Sequence, residues 1–222
     1  METEQEFRAR AVDFFSRLLE QFRIVERGIK RAEQINKKAV IPAINELRYA
    51  ARQLFNAQRL FAKDPLNRSE RHIIGKRLII AEQYFLNAEH DICDAVVGFY
   101  HQLIARLDAE FGISTITVYF HEYPKLRELR ARCLELIADA REDYGRRKEI
   151  YDTLRNDAFP EFYAYHQALL DAELTATAQR DKEKKTLDRA LAKKKFSDRL
   201  SIALAIVAII QAYYYYYHPL VP

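Results

Sequence analysis

Apolar side chains recur along most of this chain at alternating steps of three and four, the spacing that gathers them on one face of an α-helix. In residues 3–36 the seam is Ala11, Phe15, Leu18, Phe22, Val25, Ile29 and Ala32, with Arg, Glu and Lys on the remaining faces. This is a heptad pattern sustained for about three and a half repeats. Pro42 suits the first turn of a second helix, where its missing N–H is harmless. That helix is predicted to run through Ile44, Leu47, Ala51, Leu54 and Phe61 to about residue 63. Asp64-Pro65-Leu66 predicts a turn, because proline disfavours helix in the residue before it. Asn67 followed by Glu70 has the form of a capping box and opens a third helix, to about residue 111. Its stripe is Ile74, Leu78, Ala81, Phe85, Ala88, Ile92, Ala95, Phe99 and Leu103.

Gly112 is expected to end that helix. The following ISTITVYF is the one β-branched and aromatic run, and a lone strand makes no sheet. It is therefore read as an extended connector open to pairing with a partner chain. Pro124 predicts the start of a fourth helix through Leu126, Leu129, Cys133, Ile137, Ala140, Tyr144, Tyr151 and Leu154, with Pro160 breaking it from a last helix. From residue 173 to 195 the apolar stripe thins to residues such as Leu187 and Leu191, as in a charged stalk. The fold class predicted is all-α: an elongated bundle of four to five long helices with coiled-coil-like faces over residues 1–174. A basic helical stalk (175–199), a transmembrane anchor helix (200–218) and a short tail (219–222) are expected to follow.

The anchor is read from RLSIALAIVAIIQAYYYYYHPLVP at the end of the chain. Leu200, Ile202, Leu204, Ile206, Val207, Ile209 and Ile210 are aliphatic, and Tyr213, Tyr214, Tyr215, Tyr216 and Tyr217 extend the segment before Pro219 stops it. Those residues form a helix of roughly 27 Å, close to the hydrocarbon thickness of a bilayer, if the tyrosines serve as an interfacial belt. The aliphatic part alone is about 13 residues, the length of a buried core helix. Ser201, Ala205, Ala208 and Ala212 place small side chains on one face with Gln211 at its border, a pattern that brings helices together in lipid. Self-association is the expectation that follows.

Charge strengthens the membrane reading. Residues 180–199 hold nine basic and four acidic residues, a local +5 within a chain of net +4, so the remainder is close to neutral. Lys193, Lys194, Lys195 and Arg199 stand directly before the apolar segment, placed for anionic headgroups, and the asymmetry puts the body on the cytoplasmic side. A near-neutral body offers no extended phosphate-binding face, so nucleic acid is not an expected partner. The acidic, then amphipathic N-terminus lacks the pattern of a signal peptide. Cys93 and Cys133, both at apolar positions, read as small core residues.

Candidate chemistry is sparse. His90, Asp94 and His101 align along the third helix with Cys93 beside them, but the Glu-x-x-His pairs of a dimetal bundle are missing. Polar residues with ordinary hydrogen bonds are the expectation there, and neither metal nor cofactor is assigned. HEPN-type helical ribonucleases set an Arg and a His with four to six residues between them. No histidine here has that arrangement, since Arg68 precedes His72 by only four positions and Arg71 adjoins it. Phosphate loops, nucleophile elbows and HExxH sites are absent from the sequence, so no catalytic residue is assigned. The cluster of Phe159, Phe162, Tyr163, Tyr165 and His166 reads first as core and second as a recognition surface. The function expected is binding and self-assembly at a membrane, in its sharpest form as a membrane-permeabilising effector. A curvature or scaffold protein, or a soluble helical regulatory subunit whose last helix packs into a partner, are the alternatives.

Overall fold

A computed structural model describes residues 2–143 and 145–217, with side chains described as far as residue 212. Among the described residues all regular structure is helical: α1 (Glu4–Asn36), α2 (Ile41–Phe61), α3 (Arg68–Phe111), α4 (Ile113–Tyr119), α5 (Tyr123–Glu142), α6 (Arg147–Thr153), a π-helical turn (Leu154–Ala158) and α7 (Phe159–Tyr217). The chain divides into two units, Met1–Leu169 and Leu170–Pro222, so α7 contributes its opening turns to the first and continues as the second.

Local chemistry sets most helix ends. Thr3 and Glu6 form a reciprocal capping box on α1, and Asn67 and Glu70 form the expected one on α3, with the Glu70 N–H donating to Asn67 Oδ1 at 2.9 Å. Such boxes satisfy two amide donors that a helix N-terminus otherwise leaves without partners. Gly112 ends α3 at φ 77°, a conformation that side chains with a Cβ rarely adopt. Between α2 and α3 the turn at Asp64-Pro65 contains a cis peptide bond. It is tied to the start of α1: Arg8 donates to the Phe61 and Lys63 carbonyls at 3.2 and 2.6 Å, and Glu4 accepts the Leu66 N–H at 3.1 Å.

In the first unit α1 and α2 pack on α3, with α4, α5 and α6 on its C-terminal part. The α1 seam is covered at Ala11, Leu18, Val25, Ile29 and Ala32, while Phe15 and Phe22 are half-buried. On α2 the outcome differs from the expected stripe. Ile44, Leu47, Ala51, Leu54 and Phe61 are only half-buried, and the fully covered line is Ala43, Ala50 and Ala57, one heptad apart. The alanines let the two backbones approach closely, so the larger residues flank the contact instead of filling it. In α3 the buried face departs from the predicted stripe in its second half: Ala95 and Phe99 are only half-buried, and Val96, Val97, Tyr100, Ile104 and Leu107 are covered, where helices pack on it from more than one side.

Three further expectations are corrected. ISTITVYF is not an extended connector: α4 is helical, with Ile116 fully buried and Thr117 Oγ1 donating to the Ile113 carbonyl at 2.8 Å. A tertiary contact overrides the β-propensity of a short run. The fourth helix is also not continuous. Asp143 Oδ1 accepts the amides of Gly145 and Arg146 at 2.8 and 3.3 Å, an aspartate turn that separates α5 from α6. Tyr144, placed on that helix in the sequence reading, lies outside the described residues. Finally, Pro160 does not break the chain into separate helices. The Phe159 N–H bonds the Leu154 carbonyl five residues back, and this wider π turn takes up the proline that an α-helical ladder would reject.

The alanine contact yields a first prediction. Ala50→Leu should lower stability by about 1–3 kcal/mol through overpacking, whereas Phe55→Ala, at a position 67% exposed, should change it by less than about 0.5 kcal/mol. Urea unfolding measures both, and equal effects would remove the close α2–α3 contact from the account.

Candidate functional site

The residues singled out by sequence lie in the second unit, and the described part is fully helical and exposed from residue 178 to 212. Leu200, Ile202, Leu204, Ile206, Val207, Ile209 and Ile210 are between 51% and 69% exposed. They surround the helix instead of forming one stripe, as in helices that are buried on all sides. Ser201, Ala205, Ala208, Gln211 and Ala212 are exposed as well, and so are Lys193, Lys194, Lys195 and Arg199 just before them. Tyr213, Tyr214, Tyr215, Tyr216 and Tyr217 fall within α7, but their side chains are outside the described residues, as is the whole of residues 218–222.

The expected membrane-crossing helix is not met. Among the described residues no helix is long and apolar enough to cross a membrane. Residues 200–212 rise only about 20 Å as a helix, against a hydrocarbon core of about 30 Å. Residues 200–212 are thus aliphatic on all sides of the helix but shorter than a span.

The first unit carries a polar cluster that the sequence hinted at only through His90, Cys93 and Asp94. Asp94 accepts the Tyr151 hydroxyl at 2.9 Å with one oxygen and the Arg141 guanidinium at 2.9 Å with the other. The His90 ring stacks on Tyr151 with centroids 4.0 Å apart, is 6% exposed, and leaves Nδ1 without a partner among the described residues. Burial, reinforced by the positive charge of Arg147, lowers its pKa to about 4 and keeps the imidazole neutral. Burial, reinforced by Glu46 from α2 and by Asp94, raises Asp91 to about 6. Glu89 binds Arg155 at 2.7 Å, and Arg155 also holds Asp152 at 2.6 Å.

Several of these polar groups are engaged with one another. Among the described residues no set of three or more His, Cys, Asp and Glu side chains is placed to hold a metal ion. Asp94 is taken by Tyr151 and Arg141, and His101 is exposed. Cys93 and Cys133 are both buried, and burial pushes the Cys133 thiol up to about 12 and Cys93 higher still, so neither is a thiolate at neutral pH. His72 shares a surface groove with Arg10, Arg68, Arg71 and Lys76. Of the aromatic cluster, Phe159 and Phe162 are core, and Tyr163, Tyr165 and His166 are half-buried. Sequence reasoning missed Glu89, Tyr151 as a hydrogen-bond donor, and Arg155. Their partners lie 57 and 66 positions away, and no local spacing signals such a pair.

The chain matches no protein-family model, no curated protein and no solved structure.

The cluster makes a pH prediction. His90 has a folded pKa of about 4 against an ordinary 6.5, so in that interval only the unfolded chain takes up the proton and stability falls as pH falls. Asp91 runs the other way, about 6 against 3.8, so in its interval only the unfolded chain ionises and stability falls as pH rises. The two oppose each other between pH 4 and 6. Relative to the unmodified chain, Asp91→Asn should gain urea resistance as pH rises through that window, and His90→Gln should lose it. Profiles parallel to the unmodified chain for both variants would refute the assignment.

Proposed function

We propose that this chain is a helical interaction protein that attaches to a membrane through residues 200–212 and works by assembling there, without catalysing a reaction. One observation carries the reading: seven large aliphatic side chains, from Leu200 to Ile210, surround a helix and are all exposed. Transferring such a set out of water contributes on the order of 10 kcal/mol. Lys193, Lys194, Lys195 and Arg199 add about 1 kcal/mol each at an anionic surface, which favours the cytoplasmic leaflet. Insertion is therefore driven by the aliphatic residues and oriented by the basic ones.

In this reading the first unit is a bundle whose coiled-coil-like faces promote self-association, and the small face at Ser201, Ala205, Ala208 and Ala212, with Gln211, brings inserted helices together. Clustered segments with Ser201 and Gln211 turned inward would make the assembly leak ions, the effector form of the proposal. A membrane-moulding scaffold uses the same attachment with less insertion. The short length of the apolar stretch favours a second reading, a helical regulatory subunit whose last segment docks into a partner protein.

Carbonate washing of membranes from cells expressing the full chain separates these readings. The full chain should stay in the pellet and a chain ending at Lys195 should be released. Replacing Lys193, Lys194 and Lys195 with Gln should keep the pellet association while weakening binding to vesicles rich in phosphatidylserine. Release of the full chain by carbonate would exclude the inserted form, and release together with no binding to phosphatidylserine vesicles would leave the docked-subunit reading.

A further inference from the structure

The first unit contains a half-open cavity of about 640 Å³. Its accessible apolar part comes from Ile24 on α1 and from Pro160, Tyr163 and Ala164 at the start of α7, above buried Ile92 and Cys93 of α3. The helices approach closely here because position 28 is glycine, where an added Cβ would stand 3.1 Å from Ile92 Cδ1. The polar part is unbalanced: Arg27, Arg31 and Arg155 against the single carboxylate of Glu89.

Each arginine is held differently. Arg155 stands in the π turn and is fixed by Glu89 at 2.7 Å and Asp152 at 2.6 Å, contacts that leave donors of its five N–H groups for a further acceptor. Arg31 lies over the Tyr163 ring at 3.6 Å and has no carboxylate partner among the described residues. Arg27 has only a loose pairing with Glu20 at 3.6 Å, at the surface. An apolar chamber of this size with a few convergent charged donors is the usual form of a small-molecule site, and π turns recur at such places. The Cys93 thiol in the wall stays protonated, so the cavity is equipped to hold a molecule and not to attack one.

We propose that this cavity binds a small organic anion, with a flat or branched apolar body against Ile24, Pro160 and Tyr163 and its anionic group on the arginine rim. Guanidinium groups already steadied by an aromatic face and by neighbouring carboxylates lose little freedom on binding, which suits them to a carboxylate, sulfonate or phosphate. A neutral or cationic ligand would leave the Arg31 charge without a counter-charge.

Fluorescence titration of the full chain with 1-anilinonaphthalene-8-sulfonate, and in parallel with uncharged N-phenyl-1-naphthylamine, tests this. The C-terminal apolar segment is common to all variants, so differences among them report on the cavity. The full chain should show a component saturating at one sulfonate probe per chain. Arg31→Ala, at an exposed position, should weaken that component about tenfold, the worth of one charge-assisted hydrogen bond, and Arg31→Lys should weaken it less. Binding of the uncharged probe should change by less than about threefold in the same variants. Ala164→Trp, at an exposed position on the cavity wall, should remove the component for both probes while the urea midpoint stays unchanged. A one-per-chain component that survives Ala164→Trp, the lack of any such component in the full chain, or equal weakening of charged and uncharged probes by Arg31→Ala would each overturn the proposal.

Discussion

Burial of α3 is the constraint on which the first unit depends. A helix of 44 residues cannot keep a single apolar stripe in contact with straight neighbours, because the stripe drifts around the helix with length. The chain meets this by changing the covering elements. Near the N-terminal part the alanine line of α2 and the seam of α1 lie close against Ile74, Leu78, Ala81 and Phe85. Farther along, the covered surface widens and aromatic side chains take over. Tyr100 stacks on Phe162 at 4.4 Å and donates to its carbonyl at 3.0 Å, and Tyr123 donates to Asp108 at 2.9 Å. Each ring fills core volume, and each hydroxyl finds an acceptor, which avoids the roughly 1–3 kcal/mol cost of a buried polar group left unmade.

The second unit obeys a different balance. Its helix carries charged residues through most of its length and then aliphatic ones on every side, with no stripe to dock on a neighbour along one face. Such a surface is stable in water only when something else covers it. Lipid, copies of the same segment and a partner protein all satisfy that physical demand, and the proposed reading takes the first because basic residues stand at the entrance to the segment.

The π turn before Pro160 connects fold and cavity. An α-helical ladder would place the proline ring against the carbonyl four residues earlier, and widening by one residue relieves the clash. The same widening positions Arg155, whose pairs with Glu89 and Asp152 tie α3 to the turn. A backbone accommodation thus helps to place a guanidinium at the edge of an apolar space.

Helical periodicity, capping and turn chemistry are local, and they determined the all-helical class, the ends of α1, α2 and α3, and the charged-then-aliphatic character of the last helix. Asp143 and Gly145 were legible turn residues that the continuing stripe obscured. What only the tertiary structure decided depends on residues far apart in sequence: the burial of Ala43, Ala50 and Ala57 in place of their larger neighbours, the helical form of ISTITVYF, and the meeting of Asp94 with Tyr151 and of Glu89 with Arg155. Spacing reports which side chains share a face of one helix, but the space left between two helices, and hence which side chains fill it, is set by how closely their backbones approach.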